Sequence, residues 1–368
     1  MKIAQIAPLW NNVSSRGPSD SERALSYLTE ELVRRGHEVT LFAGADSRTS
    51  ATLEVLCSTR LDRTPDNWSR AGAAILAVEE VFGPRADEFD LIHSHFGIDG
   101  FSMAQRCPTP TVTTLYDRLD LPEYVPVFKQ FRDLPLVATS DTQRAPLAWA
   151  SCQQTIYPGV PSELYRFNPR PGKYLAFIDS LSMGKGLGMA IEIARRAHLP
   201  LRVASRQNSI DGLLFSIPSK LLIAGNGVEW LGELTEPEKI SFLGGALALL
   251  CTQSSPSPSG LCVAEALACG TPVVALHGGP AGEMIYDHVT GFACDSLDEM
   301  VHVLPLVKDL DRKGCRNVFE KRFSGERMAD QYVHLYQRLI ASAASHRRFS
   351  ASIVQAVQTD RRPMAVTN

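Results

Sequence analysis

Residues 254–276 read SSPSPSGLCVAEALACGTPVVAL. The stretch is a Ser- and Pro-rich loop, a helix that begins at about Gly260, a Gly turn and a short apolar strand. Loop, helix and buried strand in this order form the repeating unit of a parallel sheet covered by helices. The first turn of such a helix aims the N–H groups of Gly260, Leu261 and Cys262 and the positive end of its dipole at one place, which makes an anion site. Glycine at 260 lets a backbone come close where a side chain would not. One carboxylate, Glu265, sits a turn into an otherwise apolar helix, and if buried it requires a partner. Eight residues before it stands Ser257.

Working outward, the same alternation covers most of the chain. KIAQIAP is a strand; SDSERALSYLTEELVRRG is a helix with Ser19 or Asp20 as N-cap and Gly36 at its end; HEVTLFAG is the next strand. NWSRAGAAILAVEEVF reads as a helix, FDLIHSH as a strand, GFSMAQRC as a short helix, and TPTVTTLYD and LPLVATSD as strands. A Pro- and Gly-rich seam, YPGVPSELYRFNPRPGKY, follows, and the alternation restarts at YLAFIDS. The reading is therefore α/β with two Rossmann-like, doubly wound parallel-sheet domains: 1–168, 169–325, a helix over 326–345 that crosses back to the first, and a flexible tail over 346–368. Open parallel sheets bind ligands outside the carboxyl ends of their strands, so a cleft between the halves is the expected site.

Composition removes several classes of function. A net charge of −3 gives no bulk reason to expect nucleic acid. The longest apolar run, GGALALLC, is too short to span a bilayer, so any membrane contact would be peripheral. The eight cysteines are scattered without a C-x-x-C pair, which fits a reducing, cytoplasmic setting and neither a disulfide framework nor a zinc site. His93 and His95 in IHSH share one strand face, but two His with no nearby carboxylate or Cys set make a weak metal site; lining of the cleft is the preferred reading. Lys185 in MGKG lies after a strand and before a helix, where its ammonium can reach a phosphate.

Ten segments in order resemble glycosyltransferase family 4, with its GT-B fold: SYLTEELVRRGHEVTLFA, FDLIHSH, TPTVTTL, RLDLPE, YPGVP, GKGLGMAIEIARRA, EWLGEL, EKISFLGGALALL, GLCVAEALACGTPVVAL and GEMIYDHVTGF. They span roughly residues 1 to 335. The resemblance implies retaining transfer of a hexose from a nucleotide-diphosphate sugar to a sugar, lipid or small-molecule acceptor. It implies no cofactor and no metal, because cations and helix dipoles hold the diphosphate. It implies donor binding by Lys185, Ser180, Gly260, Leu261, Cys262, Glu265 and Glu283, with Glu265 on the ribose hydroxyls, and catalytic positions at His93, Tyr116 and Ser257.

The sequence departs from the family pattern at five places. Pro18-Ser19-Asp20 replaces the tight Gly pair before the first helix. Tyr116 and Asp117 stand where His and Gly are usual. Asp179-Ser180 replaces Gly-Arg, trading a diphosphate cation for an anion. Gly184 replaces Glu. Ser257 replaces the first carboxylate of the E-x7-E pair, with Ser259 in place of Phe. The implied ribose- and phosphate-binding half of the site is kept, and the sugar-binding half is stripped. The alternative expectation is accordingly a catalytically impaired homologue that binds a nucleotide or a partner as a scaffold; a sugar-phosphate enzyme such as an epimerase is a third.

Overall fold

The computed structural model of the chain describes residues 1–8, 12–17, 19–57, 68–179, 185–205, 227–252 and 260–359. Among these residues lie thirteen strands in two sheets, every pairing parallel. The first sheet comprises β1 (Lys2–Ile6), β2 (Glu38–Gly44), β3 (Thr52–Cys57), β4 (Leu91–Ser94), β5 (Thr111–Leu115), β6 (Leu136–Ala138) and β7 (Cys152–Thr155). The second comprises β8 (Leu175–Asp179), β9 (Leu201–Ser205), β10 (Val228–Gly232), β11 (Ala248–Cys251), β12 (Val273–Leu276) and β13 (Gly291–Cys294). Their spatial orders are β3-β2-β1-β4-β5-β6-β7 and β10-β9-β8-β11-β12-β13. The strand order reverses at β1/β4 and at β8/β11, and a crevice at such a switch point is where open α/β sheets take ligands.

The helices of the first half are α1 (Asp20–Arg34), α2 (Trp68–Phe82), α3 (Phe101–Arg106), α4 (Tyr124–Gln130) and α5 (Asp141–Arg144). Those of the second are α6 (Lys185–Ala197), α7 (Glu236–Gly244), α8 (Leu261–Ala268), α9 (Pro280–Glu283), α10 (Leu297–Val303) and α11 (Arg312–Arg322), followed by the long α12 (Gly325–Thr359). Ser19 caps α1, accepting from the Glu22 amide at 3.2 Å, and Gly36 follows the helix at φ +79°, a backbone that glycine adopts without strain. Thr235 and Glu238 form a reciprocal capping box on α7.

Central strands are fully buried, as in β4, β5 and β12; β12 (VVAL) is apolar on both faces, while β4 and β5 bury His93 and Thr114 with partners. Three strands absent from the sequence reading lie at sheet edges. β7 is polar (CQQT) and half-exposed, β3 alternates as TLEVLC, and β13 is a four-residue GFAC opened by a glycine. α12 runs as one helix to Thr359, beyond His346 where composition placed the start of a flexible tail; residues 360–368 lie outside the described ones.

The halves are joined at a crossing of two segments. The Val160 amide donates to the Phe323 carbonyl at 3.1 Å, and the Gly325 amide donates to the Val160 carbonyl at 2.8 Å. α12 then lies against the first half: Arg35 reaches Asp330 at 2.5 Å and the Glu326 carbonyl at 2.7 Å. One apolar cluster runs through this boundary, from Leu28 and Leu32 of α1 through Phe319 and Phe323 to Tyr332 and Tyr336. Arg312 and Arg316 of α11 stitch the connecting segment down, with the Arg316 guanidinium donating to the carbonyls of Ser162, Tyr165 and Ala268 at 2.8 to 2.9 Å.

At the crossing a Cβ on Gly159 would lie 2.4 Å from the Ser324 carbonyl oxygen, closer than backbone can yield without moving. Gly159→Ala is expected to cost about 1 to 3 kcal/mol of stability, the usual range for overpacking. Urea unfolding checks it; a variant as stable as the parent would show that the crossing is loosely packed.

Candidate functional site

α8 is the helix that follows β11, with Cys262 near Cys251 at the end of that strand. In an open parallel sheet the helix after a strand starts at the carboxyl end, the side on which such sheets take ligands. Val263 and Ala264 return their amides to the Gly260 carbonyl at 3.0 and 3.2 Å, which starts the helix at Leu261. The glycine at 260 has a packing reason that the sequence did not reveal. A Cβ there would fall 2.1 Å from the sulfur of Met284, a fully buried side chain at the end of α9. The space over Gly260 belongs to Met284. The hydrogen bond of Cys262 with Cys251, then burial, then the charges of Cys251, Asp20 and Glu265, pushes its thiol well up.

Glu265 is the centre of the constellation. Its side chain is 1% exposed, and its Oε1 takes a hydrogen bond from Lys239 Nζ at 2.6 Å, one from the Tyr165 hydroxyl at 2.7 Å, and an ion pair from Arg23. Burial pushes a carboxyl pKa up, but the charges of Arg23 and Lys239 and the hydrogen bonds from Lys239 and Tyr165 outweigh it, so Glu265 is held ionised below its ordinary range. The ring of partners comes from four places: Arg23 from α1, Tyr165 from the connecting segment, Lys239 from α7 and Glu265 from α8. Arg23 also pairs with Asp20 at 2.5 Å, so the carboxylate of Asp20 is held on its own helix by a cation. Tyr27, one turn after Arg23, donates to Glu236 at 3.2 Å.

Glu283 serves the opposite half. Its carboxylate accepts from the amides of Asp141 and Thr142 at 2.8 and 2.7 Å and from the Thr142 hydroxyl. A carboxylate from the second half thus satisfies two amides at the N-terminus of α5 in the first, where the helix dipole favours negative charge. The resemblance placed Glu283 near a donor; the carboxylate faces α5.

His93 does not line the cleft. It is fully buried, with one ring nitrogen 2.6 Å from the Tyr336 hydroxyl and the other 2.7 Å from the Thr114 hydroxyl. Tyr332 closes the group, 2.9 Å from Thr114. His95 lies beside it, ring centroids 4.0 Å apart, and is 2% exposed. Its Nε2–H donates to Gln5 Oε1 at 2.6 Å, which leaves Nδ1 to accept from the hydroxyl of Tyr116 at 3.1 Å. Tyr116 is partly buried at the end of β5. Ser180 and Ser257 lie outside the described residues, as do the side chains of Asp179 and Lys185.

The structure therefore gathers Gly260, Leu261, Cys262 and Glu265 at one helix terminus, with Asp20 and Arg23 of the other half against them. His93 and Glu283 it assigns to packing and to the contact between halves. Sequence reasoning missed Arg23, Tyr165 and Lys239. Arg23 carried a signal: it falls one turn before Tyr27, beside the buried stripe Ala24, Tyr27, Leu28 and Glu31, where a bare cation is unexpected.

Two outcomes follow from these charges. Glu265→Gln leaves Arg23 and Lys239 without the carboxylate they share, and should lower the unfolding free energy by about 3 to 5 kcal/mol, measured in urea; a loss below 1 kcal/mol would mean that water reaches the cluster. Burial lowers His95 to about 3 and His93 well below its ordinary value, with His95 adding to the effect on His93. Both are neutral in the fold and become protonated near pH 6.5 once unfolded, so their contribution is whole above pH 6.5 and declines as the pH falls toward the folded values. Between pH 7.5 and 5.5 each should remove about 1.4 kcal/mol. His95→Gln should flatten that decline, and an unchanged pH slope would contradict the neutral, buried assignment.

Two family models match in succession: Glycosyltransferase Family 4 over residues 21–159 and Glycosyl transferases group 1 over residues 172–304. The alpha-1,3/1,6-mannosyltransferase ALG2 of Mus musculus is 31% identical over 121 residues. That match takes in 31% of this chain and 29% of the mouse protein. Among solved structures, the sucrose-phosphate synthase of Thermosynechococcus elongatus superposes with a TM-score of 0.74 at 19% identity, over 93% of this chain and all of that one. Anabaena HepE, solved in complex with UDP and glucose, superposes with a TM-score of 0.69 at 18% identity, over 92% of this chain and all of that one. With one model on each half, and two all-parallel sheets in sequence, the chain belongs to glycosyltransferase family 4 and has the GT-B fold.

Proposed function

We propose that this protein transfers a hexose, with retention, from a nucleotide-diphosphate sugar to an acceptor. The observation that carries the reading is Glu265: an ionised carboxylate in the first turns of α8, answered by cations from both halves. A leaving diphosphate needs positive charge and N–H donors aimed at its oxygens. In this reading the amides at Gly260, Leu261 and Cys262 together with Lys185 receive the diphosphate, and Ser180 adds a neutral hydroxyl. Glu265 accepts the two ribose hydroxyls in charge-assisted hydrogen bonds. Ser257 and Tyr116 face the sugar with hydroxyls where the family has charged or titrating groups. His93 acts at one remove, as a positioning residue that fixes the strand ends against α12. Cations and helix amides, with no metal, carry the diphosphate charge.

The relatives agree in kind. HepE is solved with UDP and glucose, and the mouse relative is a mannosyltransferase. Among the described residues no helix is long and apolar enough to cross a membrane, and the reading places any lipid acceptor at a membrane surface.

The test is calorimetric titration with UDP, GDP and ADP, free and as their hexose derivatives. One base is expected to be preferred. Lys185→Ala should weaken each diphosphate by about 1.5 to 3 kcal/mol, the worth of a hydrogen bond to a charged group. Ser257→Glu should change the preference among hexoses and leave the free diphosphate unaltered. Failure of every nucleotide to bind the parent would overturn the reading in favour of a partner-binding scaffold.

A further inference from the structure

The three donors on Glu265 do not belong to one body. Lys239 stands on α7, which packs in the second half, and Tyr165 is tied to that half through its carbonyl, held by Arg316 at 2.8 Å. Arg23 alone comes from the first half. Asp20 pairs with it on the same helix, so its guanidinium has a partner wherever α1 goes. If the halves part, Lys239 and Tyr165 stay on the carboxylate and keep it ionised, while Arg23 leaves with α1. What Arg23 vacates is hydrogen-bond-accepting capacity on a carboxylate that is 1% exposed in the closed protein. A vicinal diol, with two O–H donors, is chemically suited to fill it.

The second clasp has the same form. Glu283 of the second half holds the amides of Asp141 and Thr142 in the first. Both clasps are made by carboxylates on the second half reaching groups on the first. The paired crossing of residues 159–160 with 323–325 joins the halves by backbone hydrogen bonds and does not depend on either clasp.

We propose that Arg23 is a removable internal ligand of Glu265: it holds the place that a donor ribose takes, so that the closed protein excludes nucleotide until α1 withdraws. The proposal rests on the donor reading of Glu265 given above, and it adds the gate. A nucleotide that binds only the open form is weakened by the fraction of protein that is open. Removing the guanidinium should raise that fraction.

The variant is Arg23→Met, which keeps an unbranched apolar stem without the guanidinium and leaves Lys239 to neutralise Glu265. Two quantities are measured on the full chain: the affinity for UDP, GDP and ADP by calorimetry, and the hydrogen-exchange rate of the Asp141 and Thr142 amides with no nucleotide present. The gate predicts at least tenfold faster exchange at these amides and about tenfold tighter binding of the preferred nucleotide, with Glu283→Gln moving affinity the same way. Weaker binding by Arg23→Met would make Arg23 a nucleotide contact and overturn the proposal, as would unchanged exchange with unchanged affinity. Faster exchange with no nucleotide bound by the parent or either variant would refute the donor reading, and would leave Arg23 as a plain closure between halves, which refutes its role as a ribose surrogate.

Discussion

A carboxylate cannot stay charged inside a protein without compensation, and Glu265 is charged and almost wholly out of water. That constraint organises the molecule. It calls two cations and a phenol to one oxygen, and these arrive from α1, α7 and the connecting segment. Each element that lends a group is thereby fixed in orientation relative to α8. The same arrangement explains why α8 can be apolar everywhere else: its one charge is answered, and the rest of its surface joins the apolar cluster that runs between the halves.

The joint between the halves combines two kinds of force. Apolar packing of Phe319, Phe323, Tyr332 and Tyr336 supplies bulk and little direction. Hydrogen bonds supply direction: Val160 with Phe323 and Gly325, Arg316 with three carbonyls, Arg35 with Asp330 and the Glu326 carbonyl. The buried polar group under α12 is of the second kind. His93 presents two ring nitrogens, and Tyr336 and Thr114 present hydroxyls to them; a helix shifted by one residue would strand these groups without partners. The long helix is thus registered on the first sheet by polar satisfaction as much as by fit.

This arrangement bears on how a transferase of the family works when its sugar-side carboxylate is absent. In the proposed donor site Ser257 supplies no charge, and Glu265 is engaged in a contact between halves. Under the donor role proposed for Glu265, binding energy would first have to separate Arg23 from it, and donor binding would be linked to a change in the relation of the two halves. Affinity and closure are then one equilibrium and not two.

Much of this was readable in the residues. Strand–helix alternation, the Pro-rich seam and the ordered segments led to two parallel sheets and the GT-B fold, because buried parallel strands must be apolar on both faces and helices between them must be amphipathic. The short or polar strands β3, β7 and β13 escaped, since edge positions relax that requirement. Glu265 stood out as a lone charge on an apolar helix, and the need for a partner was plain; the partner was not. Arg23 lies 242 residues away along the chain. Periodicity assigns a residue to a face of its own element and says nothing about which distant face will meet it. For the same reason Gly260 read as room for a ligand when it is room for Met284, and His93 read as a cleft residue when α12 covers it. The local pattern determined the elements and the fold. Which charges meet across the two halves, and so which site residues stand open and which are already engaged, was decided only when tertiary packing brought those elements together.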